Sequence, residues 1–197
     1  IIISRLLLVT NSNHIDEVEN LINDYNPDII ALQEMSSYDF NLLDERLSNY
    51  DGQLHENDAL SLAFLYKTTN QLSYNQTKVI YESNDTPFPR APFILDIMWN
   101  DTQLFIINNH LKAYDGEENI ARRMEATYLL DEYIDDEYID DHVIIIGDFN
   151  DSYDDSDNEN IFLVFDEQDY ILADYNIAIG NDLYWSYPSF PSHIDHI

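Results

Sequence analysis

Six polar residues follow closely on short apolar runs, and their types set the chemistry they could share. Asn11 comes after the run Leu6 to Val9 through Thr10, and Glu34 comes after Ile29 to Leu32 through Gln33. His110 follows Leu104 to Ile107 through two asparagines, Asp148 and Asn150 follow Val143 to Ile146, and Asp195 follows the weaker run at Ile194. The set offers carboxylate and amide oxygens with one imidazole, in a chain without cysteine. Oxygen donors without thiolates suit a hard cation such as Mg²⁺, Mn²⁺ or Ca²⁺ rather than Zn²⁺. In Asp148-Phe149-Asn150 the spacing of two puts both polar groups on one face of an extended segment, with Phe149 turned into packing. Such a pair binds metal or orients a water.

The elements that must hold these groups are legible from periodicity. Continuous β-branched or leucine-rich runs of this length are strands buried on both faces. Residues 60–67, 70–81 and 92–99 read as three more strands, the last preceded by a loop marked by Pro87, Pro89 and Pro92. One helix is expected over 15–25, with Ile15, Val18, Leu21 and Ile22 on one face and Pro27 ending it. A second is expected over 117–134, with Ile120, Met124, Tyr128, Leu129 and Tyr133 inward, and a shorter third over 39–49. No repeat and no Gly/Ser or Pro linker interrupts the chain, so one mixed α/β domain over 1–197 is the economical organisation. Side chains at the ends of buried strands escape the core yet remain held by a rigid scaffold, where ligand sites of open sheets lie.

PDIIALQE at 27–34, NNHLK at 108–112, GDFN at 147–150 and SHIDHI at 192–197 stand in the order and approximate spacing of a known superfamily. With FPRAPF at 88–93 and the VTN that ends in Asn11, the chain resembles the deoxyribonuclease I-like endonuclease/exonuclease/phosphatase superfamily. The resemblance implies a four-layer αββα sandwich, two packed mixed β-sheets flanked by helices. It implies a metal-binding Glu34, and Asn11 as a metal or phosphate ligand, with Asn13 competing for that place. It gives His110 a place at the scissile phosphate, gives Asp148 and Asn150 the attacking water, and makes Asp195 the aspartate that orients a second histidine. The family's closing Ser-Asp-His is not in the chain, and His196, next to Asp195, faces the other way by strand alternation. The expectation is therefore a catalytic domain lacking its C-terminal end. The reaction implied is divalent-metal-dependent hydrolysis of a phosphodiester or phosphomonoester. The alternative is a non-catalytic metal-binding relative that has lost the terminal histidine.

Charge bounds the partners. The 197 residues carry 39 acids against 8 lysines and arginines, a formal net charge of -31, and no lysine or arginine follows Arg123. With 45% hydrophobic residues the chain has the core material that disordered acidic proteins lack, so the acids are a solvated surface. They oppose a grip on long duplex at low salt and favour a compact phosphoester, or DNA or RNA in screening salt. Lys112, Arg90, Arg122 and Arg123 read as solvated or salt-bridged groups and are left out of the site. The oxygens of 148–159 mimic an EF-hand loop, but Tyr153 occupies its glycine position and a strand precedes it, so that stretch reads as a solvated loop. No run reaches the ~20 apolar residues of a membrane span. A monomer is expected. The chain opens on Ile1 rather than methionine, which leaves any targeting region outside the sequence and the compartment unread.

Overall fold

The computed structural model of the chain describes residues 2–5, 12–57, 60–69, 71–83, 86–153, 155–156, 159–168, 170–187 and 192–197. The expected strand Leu6 to Val9 and the candidate Asn11 lie outside the described residues. Two sheets form the centre. One holds β1 (Ile2–Arg5), β2 (Ile29–Met35), β4 (Ser61–Lys67) and β3 (Tyr50–His55) in that order, with β1 parallel to β2 and the other pairs antiparallel. The other holds β5 (Leu72–Val79), β6 (Phe93–Trp99), β7 (Thr102–His110), β8 (His142–Asp148) and β9 (Asp195–His196) in chain order, with only β7 and β8 parallel.

Strand alternation sorts the apolar residues into three cores, and three cores require four layers. Ile29, Ala31, Leu62 and Phe64 face Leu95, Ile97, Ile106 and Ile146 between the sheets. Ile30, Leu32, Ala63 and Leu65 point outward to α1 (Ser12–Tyr25) and α2 (Ser37–Arg46). Phe105, Ile107 and Ile145 point outward to α3 (Glu117–Glu137) and α4 (Leu163–Glu167). The four-layer sandwich is the architecture expected from the sequence. A short α5 (Tyr175–Ala178) and a 3₁₀ turn (Asp182–Tyr184) precede β9.

Two local readings are corrected. Helix α3 buries Ala126, Thr127, Leu130 and Ile134, while Met124 and Tyr128 face solvent. Apolar residues line both sides of this helix, and the small Ala126 and Thr127 mark the side that approaches the sheet. Residues 39–49 also do not form one helix. The Ser36 hydroxyl accepts the Asp39 amide at 3.0 Å, α2 starts at Ser37, and it ends at Arg46 so that β3 begins at Tyr50. That strand has no apolar run because it is an edge strand paired to β4 alone.

One polar contact joins the sheets through their shared core. Asn108 of β7 donates through Nδ2 to the carbonyls of Leu32 and Ala63, both at 3.1 Å, and its Oδ1 accepts from Gln33 Nε2 at 2.7 Å. It sits one turn of the pleat below His110, at the end of the cleft between the sheets.

Candidate metal centre

Strand register gathers the acidic groups. His110, Asp148 and Asp195 are Cα partners across β7, β8 and β9, so their side chains stand in one row on one face of the sheet. Neighbouring partners Asn109, Gly147 and His196 form the next row, facing the other way. Gly147 is required there, because its φ is 140° and an added Cβ would lie 2.1 Å from the Asn109 carbonyl oxygen.

Glu34 reaches the same place by a different device. Regular alternation in β2 would send it outward with Leu32, towards the helices. Between Leu32 and Met35 the register with β4 slips, and Glu34 takes a left-handed φ of 60°. Its carboxylate thus turns into the cleft, and Met35 returns to the helix side. A non-glycine residue held in this region stores strain of the kind found at ligand sites.

The result is a compact constellation. His110 Nε2 lies 3.7 Å from Glu34 Oε1 and 3.7 Å from Asp148 Oδ2. One ligand atom from each of the three residues lies within 4.8 Å of the others, and all three side chains are at least nine-tenths buried. Two carboxylates this close in a shielded site repel by about 3 kcal/mol at an effective dielectric of 20. A divalent cation between their oxygens reverses that term, and ligands about 2.1 Å from a Mg²⁺ stand about 3–4 Å apart. The donor set therefore fits a hard divalent ion, which Glu34 and Asp148 could hold beside the imidazole.

The remaining expected residues are placed as follows. Asp195 lies half-buried opposite Asp148. Asn150 is not on a continuing extended segment: the chain turns after Asp148, Asn150 has φ 53°, and its amide N–H donates to Asp148 Oδ1 at 2.9 Å. Its side-chain Nδ2 donates to the Leu111 carbonyl at 3.1 Å, which ties the NNHLK and GDFN motifs together. Phe149 packs in the core as expected. Asn13 lies in the first turn of α1.

Three further groups support the site and were not legible as such. Gln33 and Asn108 carry the inter-sheet contact beneath it. Arg123, expected to pair with a local acid, instead crosses to Asp151, Nε to Oδ2 at 2.8 Å, and its Nη1 donates to the carbonyls of Lys112 and Tyr114. Burial, then the nearby Asp155, pushes the Asp151 carboxyl up to about 7 against the pull of Arg123. A second cluster, Asp174 with His193 and His196, lies behind β9. The only sequence signal for it was the pair of histidines three apart in SHIDHI.

Among the described residues no helix is long and apolar enough to cross a membrane. Several solved structures share the fold. D. rerio TDP2 complexed with a single-strand DNA product has 15% identity and a TM-score of 0.63 over 80% of this chain and 60% of its own. The human Nocturnin catalytic domain with a bound sulfate anion has 20% identity and a TM-score of 0.64 over 92% of this chain and 73% of its own. An endonuclease/exonuclease/phosphatase from Bacteroides vulgatus has 15% identity and a TM-score of 0.68 over 92% of this chain and 76% of its own. The chain thus spans less than two thirds of the length of the TDP2 chains it matches. Among curated proteins none matches the sequence. Residues 8–197 match the sequence model of the Endonuclease/Exonuclease/phosphatase family, and the chain belongs to that family.

Proposed function

We propose that the chain is a divalent-metal-dependent phosphoesterase whose ion is held by Glu34 and Asp148, with Asn11 as a further ligand. The observation that carries this reading is the convergence of Glu34, His110 and Asp148 within 4.8 Å at the buried end of the inter-sheet cleft. When bound there, Mg²⁺, Mn²⁺ or Ca²⁺ supplies Lewis-acid charge for a phosphoryl oxygen and for the leaving oxygen. The protein's own groups do the rest. His110 presents Nε2 on the carboxylate face, where it donates to a phosphate oxygen. Asp148 is oriented by the Asn150 amide on Oδ1, which aims Oδ2 at the shared centre. Asn150, tied through Nδ2 to Leu111, directs its own Oδ1 elsewhere and can accept from the attacking water. Asp195 stands in the same row and orients a general base.

Substrates are phosphodiesters or phosphomonoesters. The DNA product bound by D. rerio TDP2 and the sulfate bound by Nocturnin support an anionic ligand for a chain of this fold. The charge of -31 makes any nucleic-acid substrate depend on screening salt. Hydrolysis of bis-p-nitrophenyl phosphate with Mg²⁺ tests the reading on the wild-type chain and on Glu34→Ala. A rate lowered roughly 10²-fold or more in the variant is expected, and equal rates overturn the assignment. Mg²⁺ binding by a wild-type chain that hydrolyses nothing would favour the non-catalytic metal-binding relative.

A further inference from the structure

Strand β9 pairs Asp195 with Asp148 and His196 with Gly147 of β8, which places Asp195 in the row of the candidate site. The chain supplies other bonds. Asp174 Oδ2 receives His193 Nε2 at 2.7 Å and His196 Nδ1 at 2.8 Å, and its Oδ1 receives the Ile197 amide at 3.0 Å. On the outer side, the Ser186 hydroxyl accepts the amides of Ile194 and Asp195 at 3.1 and 3.2 Å. His196 is 1% exposed, and Phe162 and Phe149 meet its ring edge-on at 4.7 and 6.0 Å.

The partners fix the protons. His193 Nδ1 accepts the Ser186 amide at 3.3 Å, so its proton is on Nε2, facing Asp174. His196 Nε2 faces the carbonyls of Asp151 and His193 at 3.2 and 3.0 Å, and its Nδ1 faces the Asp174 carboxylate, so each ring nitrogen has an acceptor within reach. Burial opposes ionisation of Asp174, but the hydrogen bonds from His193 and His196, the charge of His196 and the Ile197 amide outweigh it and hold the carboxyl far below its usual range. Asp174, His193 and His196 could also be read as a metal triad. That reading requires His193 Nε2 to lose its proton to Nδ1, where it would meet the Ser186 N–H head on.

We propose that Asp174, His193 and His196 form a clamp whose task is to position Asp195 beside Asp148. The role at Asp195 rests on the phosphoesterase reading above. Alternation makes the device work: His196 is anchored on the far face of the strand, so its neighbour Asp195 is fixed on the near face in the row of His110 and Asp148. His196 also grips the Asp151 carbonyl, and Asp151 is held by Arg123, so the clamp reaches the loop that carries Asn150. These three are positioning residues.

Amide hydrogen exchange on the whole chain tests the clamp without substrate. The Phe149 amide, which donates to the Ile194 carbonyl at 2.8 Å, reports the pairing of β9, and the Leu111 amide, which donates to the Asp148 carbonyl at 2.9 Å, reports the rest of the site. Asp174→Asn should speed exchange at Phe149 roughly tenfold or more and leave Leu111 unchanged. It should lower kcat roughly 10- to 100-fold with KM unchanged, as loss of an orienting partner does. His193→Gln keeps a donor at the Nε2 position and should behave as wild type, whereas His193→Ala should follow Asp174→Asn. Unchanged exchange at Phe149, equal acceleration at both amides, a loss carried by KM, or stoichiometric Zn²⁺ binding that shifts both imidazole resonances would overturn the clamp. If the wild-type chain hydrolyses nothing, the phosphoesterase reading fails and the exchange measurements still decide the clamp.

Discussion

Two clusters of imidazole and carboxylate lie on opposite faces of the β8–β9 pair, built from the same residue types and opposite in character. Glu34, His110 and Asp148 set two acids against one imidazole at 3.7 Å, beyond hydrogen-bond length. Asp174, His193 and His196 set two imidazoles against one acid at 2.7 and 2.8 Å. The first is short of positive charge and spaced for an ion. The second is closed, with each ring nitrogen within reach of a partner. Stoichiometry and spacing, rather than residue type, separate a donor set that a divalent ion would fit from one closed by its own hydrogen bonds.

The contrast is open to direct attack. The largest expected effect is on stability at the closed cluster. Asp174→Ala removes the carboxylate that two buried imidazoles share and should cost about 3–5 kcal/mol in urea unfolding at neutral pH. Since the folded-state pKa of Asp174 is depressed, its contribution is fully present above the unfolded value near ~3.9. It is lost as pH falls through the folded value, so the gap between wild type and Asp174→Ala should close in acid. A gap that widens in acid would reverse the assignment. At the open cluster the loss falls on rate. Glu34→Ala should lower Mg²⁺-dependent hydrolysis by roughly 10²–10³-fold, about 3–4 kcal/mol, with the melting temperature unchanged or raised because a repulsion is relieved. A fall in melting temperature like that of Asp174→Ala would erase the distinction. Next in size, Mg²⁺ at a hundredfold over its Kd should stabilise the wild type by about 2.7 kcal/mol and be removed by EDTA. Glu34→Ala should not respond, while Asp174→Asn should. Smallest is Ser186→Ala, on the exposed rim of the clamp, which should cost about 1 kcal/mol, read from the same urea curves.

The sequence carried the scaffold further than the geometry of its ends. Buried runs such as Leu104 to Ile107 in β7 and Val143 to Ile146 in β8 announce strands because both faces are covered, and the residues that follow them are therefore at strand ends. Edge strand β3 left no such mark, and the inward face of α3 was placed in part, with Leu129 and Tyr133 against the core but Met124 and Tyr128 exposed, because apolar residues lie on both its sides. Glu34 was legible as a strand-end acid, but its direction depends on a bulge and a left-handed φ that no pattern of residue types encodes. Asp174 was invisible, since nothing in ILADYN sets it apart, and its partners lie 19 and 22 residues away. His196 could be read as facing away from Asp195, and the structure shows what it faces.

The Asn108 amide has a consequence for how the molecule assembles. Its three bonds to Leu32, Ala63 and Gln33 exist in one alignment of the two sheets only. A slide by one residue would leave apolar surfaces in contact but strand a buried amide and two carbonyls, at about 1–3 kcal/mol for each orphaned group. Among the described residues the Asn108 amide thus acts as a detent in a largely apolar interface. Because Glu34 follows Gln33 on one sheet and His110 follows Asn108 by two on the other, the two halves of the centre meet only when that detent engages, and correct docking and a competent centre become one event.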